Sequence, residues 1–131
     1  MSRLPNIENP IVSKTFSFAV NAARYCKTLQ KSREFPLANQ LFKSSTSIGA
    51  NVREAQNAES RADFIHKFKI AIKEVEETEY WLALCTELYD HTELSALKEQ
   101  LLDIQKIINK IISTSKKKHQ LISLVANLLI Y

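Results

Sequence analysis

Apolar residues recur at spacings of three and four along most of the chain, the period of a helix that buries one face. Four segments carry the pattern. The first opens at Asn9-Pro10, with Asn as N-cap and Pro at the first helical position, and runs to about Lys31. Its apolar positions are Val12, Phe16, Ala19, Ala23, Cys26 and Leu29. "SREFP" is a loop, and Pro36 opens a second helix with Leu37, Leu41, Ile48, Val52 and Ala55 on one face, ending near Asn57 to Glu59. "SRAD" reads as a capping box, with Ser60 as the cap and Asp63 reaching back to it. The third helix is the most regular: Phe64, Phe68, Ala71, Val75, Thr78, Leu82 and Cys85 alternate spacings of four and three. Such a heptad seam suits shallow helix crossings. "YDHTE" breaks it, and the fourth helix restarts the alternation with Leu94, Leu97, Leu101, Ile104, Ile108 and Ile111. "STSKKKH" predicts an end or a fray. The apolar "QLISLVANLLIY" behind it reads as a short fifth helix or a continuation that packs on a neighbour. The pattern predicts an all-α fold, an antiparallel up-down four-helix bundle over 1–118, followed by an apolar segment over 119–131 with no assigned role.

Turn chemistry agrees. The 131 residues include one glycine and three prolines, and all three prolines precede residue 37. A sheet protein needs many more turn residues. The single glycine, Gly49, falls inside the second helix, where glycine costs about 1 kcal/mol relative to alanine. Ser45 and Gly49 form a small-xxx-small pair, with Ala38 and Phe42 on the same side. A second backbone should approach there, either within the bundle or from another subunit. The third helix carries a second apolar set, Ile70, Trp81, Leu84 and Leu88, roughly opposite its seam. Two stripes imply burial on both sides. Self-association is therefore expected, with Phe42, Gly49, Ile70, Trp81, Leu84 and Leu88 as the subunit contact.

The formal net charge is +4. That permits a nucleic-acid partner without requiring one. Its distribution says more. Residues 1–35 carry Arg3, Lys14, Arg24, Lys27, Lys31 and Arg33 against Glu8 and Glu34 alone. Residues 74–90 carry Glu74, Glu76, Glu77, Glu79, Glu87 and Asp90 with no cation, and Glu79 falls beside the seam. Arg61, Lys67, Lys69 and Lys73 crowd the first half of the third helix, where the helix dipole favours acids. With Arg53 they form a candidate phosphate-binding corner. Arg24, Lys27, Lys31 and Arg33 make a second patch. Two other readings stay open: a solvated face with pairs such as Asp63–Lys67 and Lys73–Glu77, or a head-to-tail contact between basic and acidic halves of neighbouring subunits.

Little else suggests chemistry. Cys26 and Cys85 form no CxxC or metal spacing and read as buried free thiols in a reducing compartment. One glycine cannot build a phosphate loop. His66, His91 and His119 are scattered, and Asp63 with His66 supplies only half of a di-iron pattern. Ser44, Ser45 and Ser47 have no recognisable base. The opening residues lack an apolar leader, and the final apolar run is about 12 residues where a membrane span needs roughly 20. The expectation is a cytoplasmic, non-enzymatic protein without metal, cofactor or membrane partner.

The stretch "SSTSIGANVREAQNAESRADFIHKFKIAIKEVEETEYWLALC" closely resembles the small bacterial four-helix bundles known as large-subunit ribosomal RNA intervening-sequence proteins. The resemblance rests on Ser44 to Ala55, Asp63 to Lys67 and Lys73 to Leu82, and extends over roughly 10–115. The family pattern has Arg-Ser-Gly before its Thr, where this chain has Lys43-Ser44-Ser45. The charge is kept and a glycine is lost. The resemblance implies a ring, a homopentamer, similar in fold to the basic accessory proteins of diversity-generating retroelements. The group is named for insertions in ribosomal RNA genes, a genetic location and not an activity; it is the basic surface residues that point to structured RNA, ribosomal or other, or a nucleoprotein as the partner. Nothing carries over to the apolar segment.

Overall fold

The computed structural model describes residues 9–130, in four helices: α1 (Pro10–Lys31), α2 (Phe35–Ala55), α3 (Arg61–Leu88) and α4 (Glu93–Ile130). Arg3, Glu8 and the opening residues read for a leader lie outside the described residues. The helices follow the sequence pattern closely, and the differences lie at their ends. Asn9 does not cap α1 with its side chain; its Nδ2 donates to Gln56 Oε1 at 2.7 Å, tying the start of α1 to the end of α2. Ser60 Oγ accepts from the Asp63 N–H at 3.0 Å, as a cap should. The Asp63 carboxylate reaches one residue further than a capping box requires, accepting from the Glu59 N–H at 3.3 Å.

The end of α1 bears on the scarcity of glycine. Arg33 N–H donates to Gln30 O and Glu34 N–H to Leu29 O, both at 2.9 Å, the paired bonds of a Schellman motif. That motif needs a left-handed residue, and Arg33 supplies it at φ 64°. Glycine is the usual occupant. The chain's single glycine lies elsewhere, in mid-helix.

Helix α2 packs against both α1 and α3, and α4 closes the bundle, more tightly on α3 than on α1. Paired residues run in opposite order along neighbouring helices. Ser44 meets Thr78 while Glu54 meets Lys67; Lys14 meets Asp103 while Thr28 meets Glu93. An ideal Cβ on Gly49 would lie 3.4 Å from the Thr15 backbone of α1. The close approach expected at the glycine is made inside the chain.

The core lies along the predicted seams of α2, α3 and α4. On α1 it is rotated by one residue. Ile11, Thr15, Phe18, Ala22, Tyr25 and Leu29 are buried and keep the heptad spacing, with Val12 and Cys26 beside them, whereas Phe16 is 53% exposed. The pattern misled because two seam positions carry hydroxyls. Thr15 Oγ1 donates to Ile11 O at 2.8 Å, and Tyr25 OH lies 2.7 Å from His91 Nδ1. Each polar atom is partnered, so its side chain can enter the core.

"STSKKKH" does not end α4. One helix runs unbroken to Ile130, and burial stops at Ser115. Past that point the helix leaves the bundle.

At the opposite end Tyr89 stacks on His91, Tyr25 meets the same ring edge-on, and the thiols of Cys26 and Cys85 are buried. Burial, then the nearby Cys85 charge, pushes the Cys26 thiol up from about 9 to about 12. Burial also raises Cys85 and holds the Tyr25 phenol far above its usual range. These groups keep their protons in the fold and lose them sooner when unfolded. Their contribution to stability is therefore fully present below about pH 9 and is lost as the pH rises toward 12.

Two measurements follow. Both cysteines should be silent toward a thiol reagent in the native protein at pH 7.5 and react fully in denaturant. Over the alkaline range the melting temperature should fall, and Cys26→Ala should make that fall shallower. Moving the glycine is the second test. Arg33→Gly relieves a left-handed arginine, worth roughly 1 kcal/mol after the added chain entropy of glycine. Gly49→Ala adds helix propensity of about 1 kcal/mol with a Cβ at ordinary contact distance. The double variant should melt several degrees higher than the wild type; a lower value would show that α1 and α2 cannot accept the extra methyl.

Candidate nucleic-acid interface

The basic residues fall into two groups, and the fold keeps them apart. Arg53, near the end of α2, and Arg61, the first residue of α3, lie where α1 begins. Lys31 and Arg33 lie where α1 ends, 22 helical residues away, or roughly 33 Å at 1.5 Å per residue.

At the first corner the cations are partly engaged. Lys67 Nζ lies 3.0 Å from Glu54 Oε1, bridging α3 to α2, and this hydrogen bond raises the lysine above its ordinary range. Its partner is Glu54 rather than the expected Asp63. Arg53 lies over the Phe16 ring at 5.9 Å, a cation–π contact. The two line a cleft of about 270 Å³ floored by Val12, Ala19 and Gly49. Phe16, which periodicity alone assigned to the core, thus lines a surface cleft. Arg61, Lys69 and Lys73 are exposed and, among the described residues, have no carboxylate within 4 Å. The expected Lys73–Glu77 pair is not formed.

The second group is less encumbered. Helix α1 contains no acidic residue. Its Lys14 pairs with Asp103 of α4 at 2.8 Å, whereas Arg24, Lys27 and Lys31 stay exposed, as does Arg33 in the loop. At ~100° per residue, Arg24 and Lys31 share a face and Lys27 lies about 60° away. They form one stripe, free of carboxylate partners among the described residues.

The acidic run is mostly solvated. Glu79 is exposed rather than buried beside the seam. Glu74 is half-buried, and burial together with Glu77 raises its carboxyl. Glu77 Oε2 accepts from Trp81 Nε1 at 3.1 Å.

The residues assigned to a subunit contact divide. Phe42 and Leu88 are exposed, at 50% and 58%. Ile70, Trp81 and Leu84 are half-buried, and Trp81 and Leu84 pack against the core of their own chain. The second stripe of α3 is therefore not opposite the seam. It sits about 100° from it, on the shoulder where neighbouring helices still cover part of each side chain.

No nucleophile is assembled at the serines. Ser45 and Ser47 donate to Phe42 O and Lys43 O of their own helix, and Ser44 and Thr78 share a buried hydroxyl contact of 2.9 Å. Asp63 serves as a cap, and His66 is exposed. Among the described residues no cluster of three or more His, Cys, Asp or Glu could hold a metal, and no helix is long and apolar enough to cross a membrane.

The same arrangement of helices occurs in a protein of unknown function from the S23 ribosomal protein family of Bacteroides thetaiotaomicron. It is 42% identical, with a TM-score of 0.74, and the match covers 78% of this chain and 97% of that one. No curated protein matches. The 23S rRNA-intervening sequence protein family matches residues 8–110, which is most of the bundle. The chain belongs to that family.

Proposed function

We propose that the protein is a non-catalytic, antiparallel up-down four-helix bundle that assembles into a ring of five copies and holds structured RNA or a nucleoprotein through surface cations. The observation that carries this reading is the α1 stripe. Arg24, Lys27 and Lys31, with Arg33 beyond them, point outward from a helix without a single acid. Cations in that state neutralise phosphates and position a partner; they do not read sequence. Arg53, Arg61, Lys69 and Lys73 extend the positive surface at the other end, with Lys67 contributing once it leaves Glu54. In a ring such patches repeat around the axis, which suits an extended polyanion.

The Lys14–Asp103 and Lys67–Glu54 pairs, in which carboxylates take surface cations, favour a second reading, a structural or adaptor oligomer whose partners are proteins. Salt separates the two. Binding of a structured ribosomal RNA fragment should weaken steeply between 50 and 200 mM salt. Lys27→Glu/Lys31→Glu should lower affinity at least tenfold and flatten the salt slope by about one to two. Arg61→Glu/Lys69→Glu tests the other corner. No binding at low salt leaves the adaptor in front. For the ring itself, Phe42→Asp and Leu88→Asp should reduce the mass in light scattering while the helical signal is kept; an unchanged mass removes both from the interface.

A further inference from the structure

Beyond Ser115, α4 has no cover among the described residues. Every side chain from Lys116 to Leu129 is exposed. They include Leu121 (61%), Ile122 (57%), Leu124 (57%), Val125 (46%), Leu128 (71%) and Leu129 (82%). At ~100° per residue these six fill an arc of about 160°, with Gln120, Ser123 and Asn127 on the opposite side. A stripe that wide belongs to a helix facing a core. A helix of this length and composition does not hold itself in water, because tertiary packing supplies most helical stability. The segment also lies outside residues 8–110, so the family's shared bundle closes without it.

We propose that this segment pairs, antiparallel, with the same segment of a second copy of the chain. The first argument is phase. The seam that packs α4 into its own bundle, Leu101 to Ile111, continues in the same three-four alternation through Ser115 and Lys118 to Ile122, Val125 and Leu129. A surface with that period receives another helix at a shallow angle. Charge is the second. Residues 120–131 carry no Asp, Glu, Lys or Arg, so two copies meet without repulsion or a buried unpaired ion. The third is orientation. Lys116, Lys117 and Lys118 form a collar at the base of the segment. Parallel pairing sets collar against collar. Antiparallel pairing centred on Val125 separates the two Lys118 positions by about 21 Å, well beyond a Debye length of ~8 Å. The area is sufficient. Six aliphatic side chains this exposed present on the order of 500 Å² per copy, and a pair hides roughly 1,000 Å², the lower bound for a specific interface. An anionic membrane fits less well. Helices held on such a surface carry cations along their polar face, and here that face is Gln, Ser and Asn.

Cross-linking decides it. Both native thiols are buried, so one introduced cysteine is the accessible one. The full chain with Val125→Cys, oxidised at low micromolar concentration, should give a covalent dimer. Lys118→Cys, on the same stripe but ~21 Å from its counterpart, should not, because a disulfide needs Cα atoms within ~7 Å. Adding Leu128→Asp to Val125→Cys should cut the dimer yield at least tenfold without moving the melting temperature of the bundle. Adding Phe42→Asp should leave the yield unchanged, which separates this contact from the proposed ring. Equal dimer from Lys118→Cys overturns the antiparallel arrangement. No dimer from either overturns the pairing, and pelleting of the wild-type chain with phosphatidylserine vesicles would then assign the face to membrane.

Discussion

Helix α2 touches α1 and α3 through small side chains, and the rest of the bundle is arranged around those two contacts. On one flank Gly49 meets the backbone of Thr15. On the other, Ser44 meets Thr78, hydroxyl to hydroxyl, at 2.9 Å. Small residues let helix axes come together, and a close approach excludes water from what lies between. Ser44, Ser45 and Thr78 are fully buried as a result. A buried hydroxyl is tolerated only when bonded, and each of these has a partner within its own helix or across the contact. The stretch that holds the glycine and the hydroxyl run is therefore structural in its first role.

Tight packing on α2 has a counterpart in looser packing between α1 and α4. There polar side chains bridge the helices: Asn21 to Gln100, Thr28 to Glu93, Lys14 to Asp103. That last pair takes one of the four cations of α1, and the acid-free sequence of the helix leaves the other three without partners. At the far corner Glu54 takes Lys67 and Phe16 takes Arg53. The positive surface is what remains after internal pairing, and it is stronger on α1 than on the start of α3. This ordering reverses the emphasis of the sequence reading. Crowding of cations in sequence does not reveal which of them face a carboxylate on a neighbouring helix.

The bundle and the overhanging part of α4 differ in what holds them. Within the bundle each apolar stripe is matched by another. Beyond Ser115 the stripe continues with nothing opposite it among the described residues. The heptad phase is unbroken across the boundary, so the same helix that closes one core offers the edge of a second.

Periodicity by itself determined that the chain is all-helical, where its four helices begin and the first three end to within a few residues, and which faces of α2, α3 and α4 are buried. Apolar side chains at helical spacing have one way to leave water together, and Pro36 and Ser60 mark the starts by local backbone chemistry. Motif resemblance added the family. Tertiary structure alone decided the rest. It turned α1 by one residue, because Thr15 and Tyr25 find partners inside and Phe16 finds a cation outside. It gave Gly49 to Thr15, brought half of Trp81 onto its own core, and carried α4 past "STSKKKH" as one helix. Each of these depends on what stands opposite a residue in space, and spacing along one helix does not contain that information.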